Sequence, residues 1–112
     1  MGAVVDRIVV IGASVAGLRA ADTLREEGFD GSVVVLSAEG ELPYDRPPLS
    51  KQALDPHGTY REFRLRPEGH YEKSHIDLRL DTPALALDPP TRIVRTPRGD
   101  VAFDRVLIAT GS

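Results

Sequence analysis

Arg7-Ile8-Val9-Val10-Ile11-Gly12-Ala13-Ser14-Val15-Ala16-Gly17-Leu18 decides how the rest of this chain is read. It opens with a β-branched run of the kind buried on both faces of a parallel sheet, and the run stops at Gly12. From Val15 to Glu27, Leu18, Ala21 and Leu24 recur at helical spacing against polar Arg19, Asp22, Arg25 and Glu26. Gly28 then suits the left-handed position that ends a helix. After the turn Phe29-Asp30-Gly31, Ser32-Val33-Val34-Val35-Leu36 is a second buried-type strand. The pattern predicts a β–α–β unit over residues 7 to 37 with a right-handed crossover.

In that context the Gly12–Gly17 turn has a chemical use. Unpaired N–H groups and the positive end of the helix dipole attract phosphate oxygens, and missing Cβ atoms let the backbone approach a diphosphate closely. The candidate contacts are Gly12, Ala13, Ser14, Val15, Ala16 and Gly17. Ser14 stands where glycine is usual, so its Cβ is expected to crowd the diphosphate while its hydroxyl supplies a compensating hydrogen bond. The competing reading is a tight strand-to-helix turn with no ligand. An acid about 20 residues beyond the glycines can accept both ribose hydroxyls of an adenosine. Glu39 fills that place, Glu41 could do the same, and either could be a solvated surface acid.

All nine prolines lie at or beyond Pro43, so regular structure is expected to be interrupted from there on. Residues 38 to 66 read as a long loop with at most a short helix near Leu49–Leu54. Pro67 can open a helical turn that runs to Ser74. Short strands are expected at Asp77–Leu80 and Ala84–Leu87, and Arg92–Thr96 and Val101–Phe103 form a hairpin about Pro97-Arg98-Gly99-Asp100. A last buried-type strand covers Arg105–Ala109. The expected fold class is α/β, a Rossmann-like β–α–β dinucleotide-binding fold with a β-hairpin layer. Within the loop, Pro43-Tyr44-Asp45-Arg46-Pro47-Pro48-Leu49-Ser50-Lys51 is stiff and carries two cations. It could hold Arg46 and Lys51 against an anion or polar ring, or lie on the surface as a polyproline-like strap.

At 112 residues the chain has the length of one domain, with 41% hydrophobic and 5% aromatic residues giving an aliphatic core. It has no cysteine, which excludes disulfides, thiolate zinc sites and thiol chemistry within it and permits a cytoplasmic location. A net charge of −3 supplies no basic field for nucleic acid, and no apolar run is long enough to enter a membrane. His57, His70 and His75 lack metal-ligand spacing and adjacent acids, so they read as surface histidines and no metal site is expected. Tyr60, Phe63 and Tyr71 are expected to cover the core, and Arg98-Gly99-Asp100 is a hairpin turn rather than an adhesion tripeptide.

Three segments together resemble the N-terminal FAD-binding portion of ferredoxin reductase-like flavoproteins, the group of putidaredoxin and rubredoxin reductases. They are Ile8–Gly17, the stretch Leu42–Lys51, and the closing Leu107-Ile108-Ala109-Thr110-Gly111-Ser112. The proline-rich middle segment is the specific one. The resemblance implies an FAD with its pyrophosphate over Gly12–Gly17, its ribose beside Ala38 and Glu39, and its ring approached by Arg46 and Lys51. Lys51 would act as the catalytic cation, stabilising negative charge on the reduced flavin. Ala84 would meet the adenine through its backbone, and Ala109, Thr110 and Gly111 would form the loop passing the cofactor.

Relatives often carry an acid where this chain has Ala38, so the ribose contact would fall to Glu39. The resemblance further implies an enzyme that moves electrons from NAD(P)H through FAD to a ferredoxin-type iron–sulfur partner serving an oxygenase. Its NAD(P)H-binding and C-terminal interface domains are absent from residues 1–112, so full activity is not expected of this chain alone. Because disulfide reductases of related type place their cysteines where this chain has its proline-rich segment, that activity is not expected. Two rivals stand beside this reading. One is a non-enzymatic module that binds NAD or FAD; the other is a truncated chain that holds no cofactor well unless a homodimer completes its sheet.

Overall fold

The structure is a computed structural model that describes residues 5–43, 65–67 and 69–110. Strand β1 (Arg7–Ile11), helix α1 (Val15–Glu26) and strand β2 (Ser32–Leu36) follow the sequence pattern closely. They are followed by the single-turn helix α2 (His70–Lys73) and strands β3 (Ile76–Arg79), β4 (Ala86–Asp88), β5 (Ile93–Thr96), β6 (Gly99–Ala102) and β7 (Arg105–Ile108). The short helix expected near Leu49–Leu54 lies outside the described residues, as do Tyr60 and Phe63.

Four strands pair in parallel in the order β3-β2-β1-β7, and three pair antiparallel in the order β4-β5-β6. The side-chain alternation of the two central parallel strands explains the layering, because successive residues point to opposite faces. Val9, Ile11, Val34 and Leu36 pack with Val94, Val101 and Phe103 of the antiparallel layer. Val10, Val33 and Val35 pack on the other face with Leu18 and Ala21 of α1 and with Tyr71 and Ile76. Both faces of β1 and β2 are therefore dry, as their continuous Val/Ile runs require. Full burial of Leu18 alone, 1% exposed, contributes about 2 kcal/mol. Tyr71 joins this core as the sequence predicts, at 5% exposure.

The differences from expectation are local and have causes. Strand β4 starts at Ala86 rather than Ala84: in the register of the ladder Ala84 would face Pro97, which has no N–H to offer, and pairing is approached through Leu85 N–H on the Arg95 carbonyl at 2.7 Å. The hairpin is tighter than the sequence suggests, since Thr96 already pairs with Gly99. The Thr96 hydroxyl donates to the Gly99 carbonyl and accepts from the Arg98 N–H, which closes the turn over Pro97 and Arg98.

Candidate functional site

Strand β1 lies between β2 and β7, and the chain leaves it toward β2 and returns on its other side as β7. Open α/β sheets bind ligands at the carboxyl ends of strands where the order reverses in this way. At that edge the Gly12 N–H donates to the Leu36 carbonyl at 2.9 Å, and the Ala109 N–H donates to the Ile11 carbonyl at 2.8 Å. The sheet thereby brings Gly12, Ala109 and Thr110 together with the start of α1.

The glycines are needed here for closeness. Gly12 has φ +108, and a Cβ on it would lie 2.7 Å from the Ala109 carbonyl oxygen and 2.9 Å from the Thr110 nitrogen. A Cβ on Gly17 would collide with the Gly12 carbonyl oxygen and press on Val10 and on the Ala109 Cβ. Part of what the sequence assigns to ligand approach is thus packing of helix, turn and β7 loop against one another.

Ser14 is engaged by the protein at the start of the helix. It is the N-cap of α1, where its Oγ accepts the Gly17 N–H at 3.2 Å while its hydroxyl donates to the Ala109 carbonyl at 2.5 Å. Its hydroxyl proton is directed at the β7 loop. A serine opening an apolar helical run is the signal that finds this cap. First-turn N–H groups have no intrahelical acceptor. Gly17's is met by Ser14, and Val15 and Ala16 stand exposed at the helix end beside Ala13 and Ser14. The arrangement fits a diphosphate held by backbone groups at a helix N-terminus.

Ala38 and Glu39 stand exposed just beyond β2, in a segment fixed by its neighbours. The Ser37 carbonyl accepts the Thr82 N–H at 2.7 Å, the Glu39 carbonyl accepts the Asp81 N–H at 2.9 Å, and the Ser37 hydroxyl accepts the Glu39 N–H at 3.2 Å. These bonds bring the approach to Ala84 alongside Ala38 and Glu39, and Ala84 itself packs against the core below the antiparallel layer. Arg46, Lys51 and Gly111 lie outside the described residues. No helix among the described residues is long and apolar enough to cross a membrane, and none of their acidic or histidine groups cluster as a metal site.

Three polar assemblies leave little trace in the sequence because most of their partners are far apart in the chain. Arg25 donates to four main-chain carbonyls, those of Ser74, Phe29, Gly31 and His75, at 2.6 to 3.0 Å. The Asp104 carboxylate accepts the Asp6 and Arg7 N–H groups at 2.8 Å each. The bonds from Arg7 and then Asp6 hold its pKa below the ordinary value of 3.8. Asp22 accepts Arg66 Nε and meets His70 Nε2, each at 2.7 Å. Partial burial raises the Asp22 pKa, but the hydrogen bonds and charges of His70 and Arg66 outweigh it and the net shift is downward. His70 was expected to lack an adjacent acid, and Asp22 corrects that expectation across 48 positions.

Comparison with known proteins agrees with this layout. The sequence description of the family "Pyridine nucleotide-disulphide oxidoreductase" matches residues 6–112. Terpredoxin reductase of a Pseudomonas species is 41% identical over 113 residues, spanning 100% of this chain and 27% of the relative. Rubredoxin-NAD(+) reductase of Ectopseudomonas oleovorans is 38% identical over 104 residues, spanning 92% and 27%. Among solved structures, the reductase in a covalent putidaredoxin reductase–putidaredoxin complex superimposes with a TM-score of 0.83 at 30% identity, over 95% of this chain and 26% of that one. The chain spans about a quarter of the length of these relatives.

Proposed function

We propose that this chain, which belongs to the pyridine nucleotide-disulphide oxidoreductase family, forms the FAD-binding part of a reductase that passes electrons from NAD(P)H through FAD to a ferredoxin-type iron–sulfur protein. The observation that carries the reading is the switch-point edge of the parallel sheet, where an N-capped helix, Gly12 and the Ala109 loop meet. The names of the relatives support the direction of electron flow, since they are terpredoxin and rubredoxin-NAD(+) reductases. The solved complex with putidaredoxin supports an iron–sulfur partner.

In this reading the N–H groups from Ala13 to Ala16 hold the diphosphate, with Gly12 and Gly17 keeping Cβ atoms out of the turn. Glu39 holds the adenosine ribose in place of the acid missing at Ala38, while Ala84, Ala109, Thr110 and Gly111 line the cofactor through their backbones. Arg46 and Lys51 approach the ring, and Lys51 acts as its fixed cation. When bound, FAD supplies the conversion of a two-electron hydride into single electrons. The chain's own residues bind it, orient it and set the charge around it. NAD(P)H-binding and interface segments beyond residues 1–112 complete the enzyme.

The test is direct. Purified protein reconstituted with FAD is expected to show a bound-flavin visible spectrum, with FAD identified by mass after release. Calorimetry showing tight NAD binding and no flavin response would instead establish a non-enzymatic nucleotide module. A second reading rests on β7, an edge strand that exposes Leu107 and Ile108 at 41% and 62%. Two copies could cover these residues in a homodimer, and sedimentation as a monomer at all concentrations eliminates that arrangement.

A further inference from the structure

The carboxyl edge that carries the Gly12 turn continues across β2 to β3, and an acid that belongs to no motif stands there. Just past β3, the Asp81 N–H donates to the Glu39 carbonyl at 2.9 Å and the Thr82 N–H to the Ser37 carbonyl at 2.7 Å, so this corner is laced to the segment that follows β2. Asp81 takes φ +53, in the left-handed region that few residues other than glycine adopt and that aspartate tolerates. In that conformation its side chain reaches Gly40: a Cβ on Gly40 would lie 2.9 and 3.0 Å from the two Asp81 carboxylate oxygens. The acid therefore rests on the Gly40 backbone, in space that a side chain there would fill. Arg98 Nε donates to the Asp81 carbonyl at 3.1 Å, which holds the main chain, and among the described residues none donates to the Asp81 carboxylate. Asp81, Ala38, Glu39 and Gly40 are all exposed, so the carboxylate is open to a ligand lying on that segment. The same segment leads from the Leu36 carbonyl, which accepts the Gly12 N–H, so one continuous edge runs from the glycine turn to Asp81.

We infer that Asp81 is a specificity-determining residue of the adenosine end, accepting a ribose hydroxyl beside Glu39. The inference rests on the FAD reading above and deepens it by adding a second carboxylate at the ribose, supplied from the end of a different strand. An ionised carboxylate only accepts hydrogen bonds, so it selects hydroxyl donors, and its charge repels a phosphate carried on the same ring. Asp81 thus favours nucleotides whose ribose hydroxyls are both free, and Gly40 matters because it leaves room for the acid to lie there.

ADP and 2′,3′-dideoxy-ADP isolate the ribose contact, because they differ only in the two hydroxyls. By calorimetry the parent chain is expected to bind ADP more tightly than the dideoxy analogue. Asp81→Asn keeps the side-chain shape and the tolerance of a left-handed backbone while removing the charge. It is expected to bind ADP about fivefold more weakly and the dideoxy analogue within about twofold of the parent. Asp81→Gly, which the backbone at φ +53 favours, is expected to fold as the parent does by circular dichroism and to show the same selective loss. Equal losses for both nucleotides, or no loss of either, overturn the role of Asp81 while leaving the cofactor assignment intact. A parent that binds the two nucleotides equally also overturns it. A parent that binds neither FAD nor ADP overturns the cofactor reading together with it.

Discussion

At the N-terminal end of α1 the contacts run between backbones, with Gly17 against the Gly12 carbonyl and Gly12 against the Ala109 loop, whereas one to two turns later Asp22 and Arg25 hold the chain by side-chain polar groups. The first kind of contact depends on the absence of atoms and has no flexible part to give way. The second depends on long side chains reaching carbonyls and cations, and can lose one bond while keeping the others. A helix can therefore be rigid at the end held by backbone contacts and adjustable at the end held by side chains.

The sharpest way to break that contrast is Gly17→Ala. Helix propensity alone favours alanine by about 1 kcal/mol, while a Cβ driven into the Gly12 carbonyl is an overpacking clash against backbone that costs about 3 kcal/mol. The clash wins, so urea denaturation should show a net loss of about 2 kcal/mol or more, and a stabilised variant would show that the turn can open. Arg25→Met keeps the aliphatic stem and removes donors to four carbonyls. Because Arg25 is only half-buried and water replaces some bonds, the expected loss is about 2 kcal/mol, spread over α2 and the start of β2. Amide exchange there should speed up while the Gly12 turn stays protected.

Ser14→Ala tests the capping role at the rigid end. It removes an acceptor for the Gly17 N–H and a donor to Ala109, and an N-cap loss costs about 1 kcal/mol. Diphosphate affinity measured with ADP should change little, because the hydroxyl proton is directed at Ala109. A large fall in ADP affinity would return Ser14 to direct contact.

The smallest effect concerns acid. The folded pKa of Asp104 lies below its ordinary value, so its contribution is present above pH 3.8 and lost as pH falls through the folded value. Asp104→Asn should therefore lose less stability than the parent between pH 5 and pH 2, followed by circular dichroism. Identical acid profiles would remove Asp104 from the account.

The legible part of the fold is the part with a local pattern. Strand β2 falls on Ser32–Leu36 as read, and β1 and α1 follow within a residue, because the β-branched runs and 3.6-residue spacing are each contained in one segment. The switch-point turn was visible for the same reason, as glycines between a strand and a helix. Strand ends in the antiparallel layer were less legible, since Pro97 and the Thr96 hydroxyl shift pairing by one or two residues. The roles of Arg25, Asp22 and His70 left no local signal, because each looks like an ordinary polar residue on the outer face of a helix.

By itself the sequence determined a β–α–β beginning, an aliphatic core without thiols and a glycine turn suited to a diphosphate. Only the tertiary structure decided that Ser14 ties the helix cap to Ala109, that β7 closes against β1, and that Asp22 gathers Arg66 and His70. The physical reason is distance along the chain. Steric and periodic preferences act over a few residues and can be read in order, whereas a hydrogen bond across 48 or 95 positions exists only once the sheet has brought its partners together.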